Sequence, residues 1–248
     1  MARRKFKEIP EEDIQELHEF LEKTNKEEDL VLTTLSVNIK CRTENQKKLI
    51  NSIKQNEITI CSGLPGTGKT FLSCAQALKL LKSKNPGKYK RIVLIKSVTT
   101  LKNEEIGFLK GGLREKMEPF MFSFVHNFEK LVGQAITSRL RELKTIEEMP
   151  IAYMRGINLD RSIIIVDEAQ NISQENMRTI MTRLGRDSKM VFLGDERQQD
   201  SKGGNGLTFL MDHFSDIEGI GCVQFTKSDV VRNPLITKIE RVFDSLQK

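Results

Sequence analysis

From about residue 57 onward, short aliphatic runs ending in glycine, an acid or a small polar residue alternate with stretches of helical periodicity. The runs are EITICS (57–62), RIVLIKS (91–97), SIIIVD (162–167), KMVFLGD (189–195) and CVQFT (222–226). Unbroken apolar runs of this length suit strands covered on both faces. Their alternation with helices predicts an α/β fold with a mainly parallel central sheet flanked by helices. Between the second and third runs lies an amphipathic insertion, FLKGGLREKMEPFMFSFVHNFEKLVG, carrying Phe120, Phe122, Phe124 and Phe128. Aromatic residues at helical spacing ordinarily face a core, although they can also stack on bases.

Upstream, residues 1–40 read as an N-terminal helical extension, with a basic tip followed by PEEDIQELHEFLEKTNKEED. Ile14, Leu17, Phe20 and Leu21 recur at helical spacing, and Pro10 with the acids behind it suits a helix start. This helix is expected to pack peripherally on the main unit, residues 41–248, with docking to a partner as the alternative.

Composition narrows the class more than the activity. With 38% hydrophobic and 30% charged residues over 248 positions, the chain can bury one sizeable core. No apolar run approaches the roughly 18 residues of a membrane helix, and MARRKFKEIP lacks the apolar stretch of a signal peptide, so a cytoplasmic protein with no membrane contact is expected. Cys41, Cys61, Cys74 and Cys222 form no CxxC pair, and His18, His126 and His213 lie far from them in sequence, which predicts reduced core thiols and not a zinc site. A net charge of +6 favours polyanionic partners without requiring them.

The chemistry concentrates in three strand-to-loop transitions. GLPGTGKT, comprising Gly63, Leu64, Pro65, Gly66, Thr67, Gly68, Lys69 and Thr70, matches the phosphate-binding P-loop between a predicted strand and the helix FLSCAQALKLL. Its glycines let successive backbone N–H groups turn inward to phosphate oxygens, aided by the positive end of the helix. Lys69 is placed to reach the β- and γ-phosphates and Thr70 to offer a hydroxyl to Mg²⁺, so ATP and magnesium are the expected cofactors. SIIIVDEAQN ends a buried strand in two acids. Asp167 suits the metal, directly or through water, while Glu168 suits polarising the attacking water. VFLGDERQQD ends another, where Asp195 and Gln198 would lie beside the γ-phosphate; the Gln198 amide can contact phosphate and water together.

The order P-loop, DEAQ, GDxxQ resembles the superfamily 1 helicases, built from RecA-like ATPase domains. The segments RIVLIKS, GFLKGGLREKMEP, IAYMRG, SIIIVDEAQN, TRLGRDSKMVFLGD and SDVVRNPLI, in this order over residues 42–244, are similar to the PhoH-like family. That resemblance implies a RecA-like P-loop NTPase core, ATP binding and hydrolysis, and a role in RNA metabolism or unwinding, with single-stranded nucleic acid, RNA above all, as partner. It also implies an adenine-reading role for Gln46 in CRTENQKKLI. One departure is that Lys96, Ser97 and Val98 stand where family members carry an Arg-Pro pair, which weakens any transfer of nucleic-acid contacts from that loop. With one RecA-like domain expected, a homo-oligomer, up to a hexameric ring, would let Arg232 of SDVVRNPLI reach a neighbouring γ-phosphate, with Arg155 and Arg183 as competing candidates. A small-molecule kinase and an ATP-gated interaction module are the rival readings. DEAQ together with GDxxQ argues against the kinase.

Overall fold

The structure, a computed structural model, describes residues 11–82, 88–97, 113–198 and 205–231, together with 235, 239 and 242. Six strands form one sheet: β1 (Ile58–Ser62), β2 (Arg91–Lys96), β3 (Ile146–Glu148), β4 (Ser162–Asp167), β5 (Lys189–Gly194) and β6 (Ile220–Gln224). Their order is β3-β2-β4-β5-β1-β6, and every pairing is parallel. The carboxyl ends of β1, β4 and β5 therefore share one edge, which places the three sequence motifs together.

The sheet is covered on both faces, and the unbroken aliphatic runs follow from that. Successive side chains point to opposite faces of a strand. Ile92, Leu94, Ile163, Ile165, Val191 and Leu193 enter one core with Leu49 and Ile53 of α2 (Glu44–Gln55), Leu72 and Leu78 of α3 (Lys69–Leu81), and Phe124 and Phe128 of α4 (Leu113–Val132). The alternate residues Val93, Ile95, Ile164, Val166, Met190 and Phe192 enter a second core with Met177 and Ile180 of α6 (Gln174–Met181) and Leu207 and Leu210 of α7 (Gly206–Phe214). Each fully buried side chain of this kind stabilises by about 1.5–3 kcal/mol, so both faces must be apolar.

Four of the five expected strands lie where the aliphatic runs put them. The fifth begins two residues before the predicted start, at Ile220. Gly221 sits against α2, where a Cβ would lie 2.3 Å from Asn56 Nδ2 and from Ser52 Oγ, so the glycine permits a close strand-to-helix approach. The short edge strand β3 was not expected. It has one buried apolar residue, Ile146, and two acids in ion pairs, Glu147 with Arg91 and Glu148 with Arg141, each at 2.7–2.8 Å.

The N-terminal segment is helical, as expected, in α1 (Glu11–Thr34). Its packing differs from the predicted face: Phe20 and Leu21 are exposed, whereas Val31, Leu32 and Leu35 at the other end meet the core. Lys82 Nζ secures that end by donating to the carbonyls of Thr33 and Leu35, and Arg139 of α5 (Gln134–Glu142) pairs with Glu27 at 2.5 Å. The side chains of Ile14 and Leu17, along with Pro10, lie outside the described residues. In the insertion Phe124 and Phe128 are core residues, while Phe122 is 68% exposed and stacks on His126. Cys61 and Cys74 are buried free thiols, with burial pushing the Cys61 thiol up to about 12. Among the described residues no helix is long and apolar enough to cross a membrane.

Candidate active site at the carboxyl edge of the sheet

The P-loop leaves β1 through Gly63, where a Cβ would lie 2.4 Å from that of Phe225. It turns at Gly66 and Gly68, whose φ values of 80° and 87° lie in the left-handed region that glycine tolerates without strain. Gly68 begins α3 with no side-chain cap, leaving the first amides of that helix for another acceptor. Leu64 and Pro65 form the outer turn, with the Leu64 carbonyl accepting from Thr67 Oγ1 at 2.9 Å. Lys69 is buried and its ammonium donates to the carbonyls of Gly63 and Leu64, at 2.5 and 3.0 Å. Burial lowers its pKa, opposed by the carboxylates of Asp167, Asp195 and Glu168.

Gln46 is buried beneath the loop. Its Nε2 donates to the Thr67 carbonyl at 2.9 Å and its Oε1 accepts from the Arg42 amide at 2.6 Å. Both ends of the amide are thus engaged in bracing the loop against the start of α2.

Asp167 ends β4 with its carboxylate oxygens 3.3 and 3.4 Å from Thr70 Oγ1. Burial pushes the Asp167 carboxyl up to about 6, the charge of Glu168 adds to that rise, and Lys96 opposes it. A divalent cation beside this pair would remove the penalty by supplying charge. Glu168 follows at φ 55° and ψ 40°, a left-handed conformation that costs a non-glycine residue about 1–2 kcal/mol. Its Oε2 accepts from Gln170 Nε2 at 2.6 Å, and Gln170 Oε1 accepts from the Asp195 amide at 3.1 Å. The Gln170 side chain thereby ties the tip of β4 to the tip of β5. Gly194 leaves it room, since a Cβ there would lie 2.3 Å from Gln170 Oε1.

Asp195 is buried, with Oδ1 accepting from the Arg197 amide at 3.0 Å and Oδ2 without a hydrogen-bond partner among the described residues. A buried carboxylate oxygen left unpaired costs about 1–3 kcal/mol, so it suits an ordered water or a cation's hydration shell. Gln198, exposed, joins Lys69, Thr70, Asp167, Glu168 and Asp195 in lining one cleft of about 280 Å³. Among the described residues no three His, Cys, Asp or Glu side chains gather into a protein-only metal cage. The hydroxyl and carboxylate of Thr70 and Asp167 instead fit a hard cation that keeps water and phosphate as its other ligands, as Mg²⁺ does.

Of the residues expected at the site, the P-loop, Asp167, Glu168 and Gln198 converge. Gln46 lies behind the loop, and Arg232 lies outside the described residues. Neither competing arginine lines the cleft: Arg155 faces Glu175 at 3.9 Å in the open, and Arg183 donates to the Ile157 carbonyl at 3.1 Å. Sequence reasoning missed Gln170, whose partners Glu168 and Asp195 lie just beyond the ends of β4 and β5, and Lys96, which lines the same cleft from the tip of β2.

A family model described as PhoH-like protein matches residues 38–244. The chain is 36% identical over 220 residues to a PhoH-like protein of Bacillus subtilis, covering 88% of this chain and 68% of that one. It is 36% identical over 211 residues to a PhoH-like protein of Mycobacterium tuberculosis, covering 84% of this chain and 59% of that one. The protein PhoH of Escherichia coli is 32% identical over 201 residues, 79% of this chain and 56% of that relative. The chain thus spans between about half and two thirds of these relatives' lengths. Among solved structures, the large terminase from a thermophilic bacteriophage, in complex with ADP, aligns with a TM-score of 0.45 at 10% identity, over 80% of this chain and 49% of that one. The Pyrococcus furiosus Hef helicase domain aligns with a TM-score of 0.44 at 15% identity, over 76% and 39%. With a P-loop, a DEAQ strand tip and a GDxxQ strand tip meeting at one edge of a parallel sheet, and the family model matching residues 38–244, this protein belongs to the PhoH-like family.

Proposed function

We propose that this chain binds Mg-ATP in the cleft at the carboxyl edge of its sheet and hydrolyses it. The observation that carries the reading is the convergence of Lys69, Thr70, Asp167, Glu168, Asp195 and Gln198 on that one cleft. In this account the P-loop amides and Lys69 hold the β- and γ-phosphates, and the γ-phosphate draws the ammonium away from the loop carbonyls it now binds. Thr70 and Asp167 hold Mg²⁺, which when bound neutralises charge on the β- and γ-oxygens. Glu168, fixed in place by Gln170, orients and deprotonates the attacking water, while Gln198 contacts both that water and the γ-phosphate. Gln46 reads adenine only by exchanging its bonds to Thr67 and Arg42, which would couple base recognition to the position of the loop.

The proposal extends to single-stranded nucleic acid as effector, RNA foremost, and to a homo-oligomer in the cytoplasm in which Arg232 supplies charge to a neighbouring active site. The net charge of +6 supports the first element. For the second, the described cleft-lining residues include Lys69 and Lys96 but no arginine. The test is ATP turnover with and without single-stranded RNA, single-stranded DNA and duplexes, at low and moderate salt. Stimulation by single-stranded RNA that weakens as salt rises supports hydrolysis with RNA as effector. Hydrolysis indifferent to every nucleic acid identifies an ATP-gated module instead, and phosphoryl transfer to a small molecule in preference to water refutes the hydrolase.

A further inference from the structure

The candidate cleft has a second ammonium that none of the three motifs contains. Lys96 is the last residue of β2 and stands directly opposite Asp167 in the β2–β4 register. Its Nζ donates to Ser123 Oγ on α4 at 3.0 Å. Ser123 and Asn127, one helical turn apart, line the cleft with Lys96, across from Lys69 and Thr70. Their placement is fixed by packing, because Met121, Phe124 and Phe128 on the same helix are fully buried against the sheet. Two cations therefore flank the Asp167–Glu168 pair, Lys69 from the P-loop side and Lys96 from the α4 side.

We propose that Lys96 is the residue by which this site distinguishes ATP from ADP: its ammonium leaves Ser123 for the γ-phosphate, so the Lys96–Ser123 hydrogen bond forms only when no γ-phosphate is bound. The inference rests on the reading of this cleft as the ATP site. An ammonium on a flexible stem can exchange partners by rotamer change alone. A phosphate oxygen is a stronger acceptor than a neutral hydroxyl, since charge-assisted hydrogen bonds are roughly twice as strong as neutral ones. The lysine lines the same cleft as Glu168 and Gln198 and stands opposite Asp167, so in the reading of this cleft as the ATP site its stem can bring the ammonium to the terminal phosphate. The bland alternative makes Lys96 an electrostatic neighbour of Asp167, acting through the metal on both nucleotides alike.

Affinities for a non-hydrolysable Mg-ATP analogue and for Mg-ADP, measured by displacement of a fluorescent nucleotide, separate the two. In Lys96→Ala the analogue should bind about 10- to 100-fold more weakly, as expected for a lost hydrogen bond to a charged group, with ADP within about 2-fold. Lys96→Arg should restore most of the loss. Ser123→Ala, which removes the competing acceptor, should tighten the analogue by about 2- to 10-fold and leave ADP unchanged, an effect opposite in sign to ordinary damage. Equal weakening of both nucleotides in Lys96→Ala, or weakened analogue binding in a folded Ser123→Ala protein, overturns the proposal. Tight, selective binding of the analogue by Lys96→Ala does so as well. Failure of the wild-type chain to bind either nucleotide overturns the ATP-site reading and this proposal with it, whereas wild-type binding without the Lys96 effect removes only this one.

Discussion

Gln170 offers the sharpest test of how the site is held. In Gln170→Ala the Asp195 amide, bonded at 3.1 Å to a side chain only 1% exposed, is left buried and unpaired. Glu168 also loses the donor that holds it at 2.6 Å. An unpaired buried N–H costs about 1–3 kcal/mol and a hydrogen bond to a charged group contributes about 1.5–3 kcal/mol. Because Glu168 is half-buried and regains water, the combined loss is about 2–4 kcal/mol, or a fall in Tm of roughly 5–15 °C for a chain of this size. The catalytic effect should run through Glu168 alone. Turnover should fall by about 10- to 100-fold, less than the 10²- to 10⁴-fold of removing a base outright, with KM nearly unchanged because Gln170 touches no phosphate-binding residue. Gln170→Glu, which keeps an acceptor for the Asp195 amide but turns a second carboxyl toward Glu168, should lose rate with a smaller loss of stability. The assay is steady-state ATP hydrolysis on a double-mutant cycle, at a temperature where every variant is folded. In a Glu168→Gln background Gln170→Ala should cost less than about 3-fold, because the group it positions is already gone. If the two losses multiply, or if Gln170→Ala raises KM and leaves kcat alone, the positioning argument is wrong.

Other parts of the account are open to equally simple tests. Gln46→Ala should weaken ATP and GTP together if the amide only braces the P-loop, and should erase a preference for ATP over GTP if it also reads adenine; competition between the two nucleotides decides. For Asp229, burial opposes the charge, but hydrogen bonds from Thr43, Asn45 and Thr226 outweigh it and hold the carboxyl below its ordinary value. A carboxyl depressed in the folded state stabilises above the unfolded pKa of about 3.9, and that contribution is lost as pH falls through the folded value. The wild-type advantage over Asp229→Asn in urea midpoint should therefore be full at neutral pH and shrink below about pH 4. Mixing excess Arg232→Ala subunits with Lys69→Ala subunits, once subunit exchange is demonstrated, should restore part of the turnover if the arginine acts across an interface. Full activity at concentrations where sedimentation finds only monomer would remove that idea.

The parts of this architecture that are legible in sequence are those enforced by local pattern. β4 and β5 are buried on both faces and carry unbroken apolar runs, Ile163–Val166 and Met190–Leu193, each ending abruptly where the polar edge begins. The P-loop is legible because its glycines serve backbone geometry at fixed spacing. β3 was not, because an edge strand that buries only Ile146 and uses Glu147 and Glu148 in ion pairs carries no apolar run. The packed face of α1 was misread for a different reason. Periodicity shows that a helix has an apolar stripe, but which end meets the core depends on tertiary partners such as Lys82 and Arg139. Gln170 and Lys96 were illegible as site residues because their partners, the Asp195 amide and Ser123, come from elements far apart in the chain.

The central claim is that one cleft divides its work between residues that hold nucleotide and a residue that drives the chemistry. ATP affinity and turnover measured side by side for wild type, Lys69→Ala and Glu168→Gln test it most directly. The account predicts that folded Lys69→Ala loses tight ATP binding, while Glu168→Gln binds Mg-ATP as wild type does but turns it over about 10²- to 10⁴-fold more slowly. Wild-type turnover by Glu168→Gln, or undiminished nucleotide affinity in a folded Lys69→Ala protein, would contradict it.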